Sequence, residues 1–180
     1  MTTDLPSAPR RFLPRWLATL LALPAILGQA QTAAPAAPPA ACKTTEYRQF
    51  DFWIGTWDVY QPNGKKGGES RIEPIASGCA LLENWEGSGG FSGKSLNNYD
   101  QTDKRWHQIW VDSSGSRLVL AGTLIDKQMV LSSDPAVAGP LQRITWTPND
   151  DGSVRQLWES SADAGKTWTV AFDGKYVRRK

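Results

Sequence analysis

The side chains able to do acid–base or metal chemistry are few and scattered. His107 is the single histidine among 180 residues, and Cys42 and Cys79 are the two cysteines. One imidazole and two thiols without ligand spacing do not make the usual zinc sites, so no metal is expected. Glu83, Glu86 and Glu159 lie on aromatic-rich stretches, where two facing carboxylates would suit glycoside hydrolysis. Glu83 shares parity with Trp85, whereas Glu159 opposes Trp158. The pattern therefore forces no pair onto one face, and the solvated reading prevails. Gly90-Phe91-Ser92-Gly93 misses the Gly-x-Ser-x-Gly elbow by one residue and lacks its helix. Asp150-Asp151-Gly152 lacks the calcium-loop spacing and reads as a turn. No catalytic residue is assigned.

Tryptophan and amide side chains carry more information. Eight of the nine tryptophans lie beyond residue 41. Several share a strand face with an amide or hydroxyl: Gln108 between Trp106 and Trp110, Gln156 beside Trp158, and Ser95 and Asn97 in line with Tyr99. A buried amide left unpaired costs about 1–3 kcal/mol. Several on one inner wall imply a hydrogen-bonded network, ordered water or a ligand, and apolar walls with a few convergent polar groups are typical of small-molecule sites. Asn97, Gln108, Trp110, Gln156 and Trp158, with Trp85 nearby, are the expected ligand-binding residues. Trp53, Trp57 and Trp168 are expected to fill the core.

The elements that must position this wall start from Phe50-Asp51-Phe52-Trp53-Ile54-Gly55-Thr56-Trp57-Asp58-Val59-Tyr60. Its first half reads as a short helical turn. From Gly55 the pattern alternates with period two, as in a half-buried strand. Further strands are expected at 69–76 (weakened by Pro74, which suits an edge or bulge), 79–87, 94–99, 105–112, 116–125, 128–133, 141–147, 153–160 and 167–178, divided by Gly, Asp, Asn and Ser turns. About ten short strands and no amphipathic helix predict an all-β antiparallel meander, and closing it into a barrel removes its edges. On the last strand Trp168, Val170, Phe172, Tyr176 and Arg178 share one parity. The expected partner for an inward arginine there is the face of Trp57.

The chain opens with Arg10, Arg11 and Arg15, an apolar run from Trp16 to Leu27, and small residues at Gly28-Gln29-Ala30. That is the layout of a cleaved signal peptide, residues 1–30, too short to anchor in a bilayer. Residues 31–41 are almost wholly Ala and Pro and read as a linker, leaving 42–180 as the folded domain. Removing three arginines and Asp4 from the totals leaves 17 basic and 17 acidic residues in that domain. A neutral domain without a basic stripe argues against nucleic acid as a partner and against anionic lipid. The expected location is the periplasm or the exterior, with no membrane insertion after cleavage, where Cys42 and Cys79 pair.

The aromatic helical turn, Gly55-Thr56-Trp57 entering the first strand, and Arg178 or Arg179 near the end of the last together resemble the calycin superfamily of lipocalin-like barrels. More narrowly, FDFWIGTWDV with GKSLNNYD, RWHQIWVD and GKTWTVAFDGKY is similar to a bacterial exported family of lipocalin-like domains. The resemblance implies a barrel with an internal cavity for a small, mostly apolar ligand, with Gly55, Trp57 and Arg178 structural. A haem barrel of the nitrobindin type would need His107 as its axial ligand. His107 opposes Trp106, Gln108 and Trp110 in parity, so no cofactor is expected. Ser161-Ala162-Asp163-Ala164-Gly165-Lys166-Thr167-Trp168 matches one Asp-box of sialidase propellers, but a single copy reads as a hairpin turn. The leading expectation is a small amphipathic or aromatic ligand inside the barrel. Two alternatives stand beside it: an enzyme using Glu83 or His107 as acid or base, and a carbohydrate-binding β-sandwich displaying Trp85, Trp106 or Trp110.

Overall fold

The computed structural model describes residues 42–180; the expected signal peptide and linker lie outside the described residues. Ten antiparallel strands form a closed barrel: β1 (Gly55–Tyr60), β2 (Lys66–Ile75), β3 (Ala80–Gly87), β4 (Ser92–Asp100), β5 (Arg105–Asp112), β6 (Arg117–Ile125), β7 (Gln128–Ser132), β8 (Leu141–Pro148), β9 (Val154–Ser161) and β10 (Thr169–Arg178). Each strand pairs with its neighbours in sequence, and β1 closes on β10 with Trp57 opposite Arg178 and Val59 opposite Tyr176. No helix among the described residues is long and apolar enough to cross a membrane.

The Arg178 guanidinium lies 4.3 Å over the Trp57 ring and donates to the Ile54 carbonyl at 3.0 Å. Gly55 makes room for it: a Cβ there would stand 2.3 Å from Arg178 Nη1, and its φ of +150° suits glycine. Arg178 thus caps an end of the barrel, exposed on its outer side, rather than entering the interior.

That end is plugged from within. Two single-turn 3-10 helices, Thr45–Arg48 and Asp51–Trp53, fold the lead-in under the barrel. Phe50 stacks on Trp53 at 4.9 Å and meets Trp106 and Trp146 edge-on at 5.5 and 5.1 Å. Phe50, Trp53, Trp57 and Trp146 have no exposed surface. Trp57 Nε1 donates to the Trp53 carbonyl at 2.9 Å, and Trp106 Nε1 to Gln49 Oε1 at 3.1 Å. The Cys42–Cys79 disulfide, whose ends are 37 positions apart, ties the lead-in to the β2–β3 connection.

The structure corrects or narrows three local expectations. First, β2 begins at Lys66, not Glu69, because the β1–β2 pairing carries a register shift at Tyr60 and runs on across Gly67 and Gly68. Second, Pro74 makes no bulge but stands at a local edge of β2, with a strand on one side only. It pairs with Leu81 of β3 and lies beyond the end of β1, where its missing N–H is not needed. Third, the parity on β10 breaks. A register shift between Val170 and Phe172 turns Val170 outward, while Phe172, Gly174 and Tyr176 stay inside. Trp168 precedes the shift, so it lies outside the core with Arg143 stacked 4.1 Å above its ring. The Ser161–Trp168 segment is the tight turn expected: Asp163 accepts from the Thr167 amide at 2.8 Å and from its hydroxyl at 2.6 Å, which holds its carboxyl down at about 2.

Closing a loop of this length by a disulfide stabilises a fold by about 3–4 kcal/mol on the chain-entropy account. Replacing Cys42 and Cys79 by serine is therefore expected to lower the urea-unfolding free energy by about that amount while the far-ultraviolet dichroism of the barrel persists.

Candidate functional site

Beyond the plug, the interior is not filled. A cavity of about 160 Å³ remains between β3, β5, β9 and β10, lined by Glu83, Trp85, Gln108, Trp110, Gln156 and Trp158 and by Phe172 and Tyr176. Leu118 and Ile144 complete the wall, and Phe91 from the β3–β4 turn stands at the mouth, 43% exposed. An engineered cavity of about 150 Å³ accepts benzene, whereas drug-sized sites run to about 300–1,000 Å³. The space here suits one ring with a small substituent.

Two glycines give the wall's aromatic rings their seats. A Cβ on Gly93 would stand 2.2 Å from the Trp110 ring, and one on Gly174 would stand 2.6 Å from the Phe172 ring. The two mouth indoles are oriented by their N–H groups. Trp110 Nε1 donates to Asp112 Oδ2 at 3.0 Å and Trp158 Nε1 to Gln142 Oε1 at 2.7 Å. With those groups satisfied at the rim, the ring faces form the cavity wall.

A continuous polar network crosses four strands on the inner wall. Gln108 Nε2 donates to Asn97 Oδ1 at 2.8 Å, and Asn97 Nδ2 to Ser95 Oγ at 2.9 Å. Ser95 Oγ then donates to Glu83 Oε2 at 2.8 Å, and Ser70 Oγ donates to Glu83 Oε1 at 3.0 Å. Opposite, Gln156 Oε1 accepts from Tyr176 Oη at 2.6 Å and from Trp146 Nε1 at 3.1 Å. Glu83 is 4% exposed. Burial pushes its carboxyl up to about 7, against the opposing pull of the two serine hydroxyls. Burial, and secondarily the nearby Glu83, push the Tyr176 phenol well above its usual value.

Five of the six expected ligand-binding residues, Trp85, Gln108, Trp110, Gln156 and Trp158, line the cavity. The sixth, Asn97, is fully buried behind the wall and holds Gln108 in place. Glu83 requires correction: it is not solvated but turned inward and buried. Its parity with Trp85 was the available signal, and the serines that accommodate it, Ser70 and Ser95, come from two other strands. Glu159 does lie outside, paired with Arg143 at 2.9 Å, and Glu86 is exposed. Phe172 and Tyr176 were legible only as part of an inward stripe, and Phe91, Leu118 and Ile144 carried no signal.

His107 faces outward, with Nε2 2.8 Å from Asp103 Oδ2. This removes it as an acid, a base or an axial ligand inside the barrel. Asp100, Asp103 and His107 bring ligand-type atoms within 4.8 Å of one another at the β4–β5 turn. The two carboxylates there also accept the turn's own amides, from Thr102 at 2.7 Å and Arg105 at 3.1 Å. No protein-family model and no curated protein sequence matches the chain.

The raised Glu83 carboxyl has a definite consequence for stability. The folded state holds a proton at Glu83 up to about pH 7, whereas an unfolded glutamate releases it at about 4.3. Stability from this group is fully present below the unfolded value and is lost as pH rises through about 7. Glu83→Gln is expected to remove that slope, so that the variant is the more stable protein at pH 8 and gains nothing at pH 4. Urea melts of both proteins across that range check it.

Proposed function

We propose that the domain is an exported, calycin-like carrier or receptor that binds a small amphipathic or aromatic molecule inside its barrel. The observation that carries this reading is the 160 Å³ cavity, walled by aromatic faces and punctuated by Glu83, Gln108 and Gln156. A barrel with no need of a guest would fill such a space, since interiors pack densely and each void forfeits contacts. Gly93 and Gly174 let the Trp110 and Phe172 rings of its wall lie against the strands, where a Cβ would displace them. The Cys42–Cys79 bridge supports folding in an oxidising compartment, consistent with export.

The β-sandwich alternative falls with the closed topology, because Trp85 and Trp106 are buried and Trp110 lines the interior instead of forming an exposed platform. The acid–base alternative rested on an inward carboxylate or imidazole within hydrogen-bond reach of another titratable group. Glu83 meets its first condition, and its hydrogen-bond partners are the hydroxyls of Ser70 and Ser95.

One-ring probes such as toluene and phenol are expected to bind saturably, raising the melting temperature and quenching tryptophan fluorescence. Leu118→Trp, which fills the cavity, is expected to abolish both effects while leaving the protein folded. Failure of every one-ring probe to bind the wild-type protein would sink the reading.

A further inference from the structure

Glu83 is a buried acid with no cation to meet it. Its inward neighbours are Ser70 and Ile72 on β2, Ser95 and Asn97 on β4, and Tyr176 across the barrel. Among them Tyr176 alone titrates, and burial keeps its phenol neutral. The described residues that line the cavity include no lysine, arginine or histidine. A carboxylate taken out of water without a counter-charge is unfavourable. Two serine hydroxyls reduce the cost without removing it, as the raised titration of Glu83 shows.

The rest of the wall favours the same sign of charge. Trp85, Trp110, Trp158, Phe172 and Tyr176 border the space. Aromatic faces attract cations, and more strongly when water is excluded. Both carboxylate oxygens of Glu83 already accept one hydroxyl each and keep a lone pair for a further donor. An anionic guest would meet like charge at Glu83 and the negative faces of the rings. A guest with N–H donors on a positive centre would complete the site.

We propose that the cavity takes a small protonated amine bearing one apolar or aromatic group, its ammonium N–H donors meeting Glu83 and its body lying among the indole faces. This rests on the reading of the cavity as a binding site and names its ligand class. A permanently quaternary ammonium, lacking N–H, is the poorer fit because it cannot donate to the carboxylate.

Calorimetry with three probes of one size separates the possibilities: benzylamine, benzyl alcohol and benzoate, each against wild-type protein and Glu83→Gln at pH 8. Benzylamine is expected to bind about tenfold or more tightly than benzyl alcohol, and benzoate to be rejected. In Glu83→Gln, benzylamine is expected to lose about that factor while benzyl alcohol changes less than about twofold. A second measurement needs no variant. At pH 6, amine binding to the wild-type protein is expected to release close to one proton from Glu83, read from the heat in buffers of different ionisation enthalpy. Equal affinity for amine and alcohol, an unchanged amine affinity in Glu83→Gln, or binding without proton release would each overturn the amine assignment and leave the cavity reading intact. Binding of none of the three would overturn both.

Discussion

The pairing of β1 with β10 is the constraint on which the rest of the molecule depends. Without it the ten strands form an open sheet with two exposed edges, and the inward parity of Trp85, Gln108 and Trp158 points at no enclosed space. Beside the strand ladder from Trp57–Arg178 to Tyr60–Lys175, the seam carries a local contact: one guanidinium over one indole, with an N–H to the Ile54 carbonyl, made possible because position 55 has no side chain. Residues more than a hundred positions apart in the sequence meet there. The seam is formed by the two strands that the chain makes first and last, so closure waits on the whole meander.

Closure creates an interior, and the lead-in decides how much of it survives. Phe50 and Trp53 occupy one end among Trp57, Trp106 and Trp146, a close-packed cluster with its indole N–H groups largely satisfied. Trp53 Nε1 is the exception, buried without a partner. The disulfide holds this plug against the β2–β3 connection. What remains is small, with room for about one ring.

The polar network on the inner wall gives that space its chemical character. A row of amides and hydroxyls runs from Gln108 through Asn97 and Ser95 to Glu83, each with a partner, and ends on the carboxylate. Networks of this kind are stable in a low-dielectric interior only when every member is satisfied. The one ionisable member of the row, Glu83, meets two hydroxyls and no cation among the residues that line the cavity.

Periodicity alone determined the strand count, the meander, the inward face of β5 and the turns, because a half-buried antiparallel strand must alternate and its turns need Gly, Asp and Asn. Most of the cavity wall followed from the same alternation, through Gln108 and Trp110 on β5 and Gln156 and Trp158 on β9. The failures have a shared cause. Trp168 and Val170 left the expected face because a one-residue shift in β10 reverses parity, and nothing in the local pattern marks it. Glu83 reads as solvated because the pattern forces no pair of carboxylates onto one face, and only the folded barrel brings Ser70 from β2 and Ser95 from β4 to either side of it. Alternation is a property of one strand and can be read along the chain. Whether a polar side chain can be buried depends on neighbours supplied by other strands, and that only the tertiary structure decided.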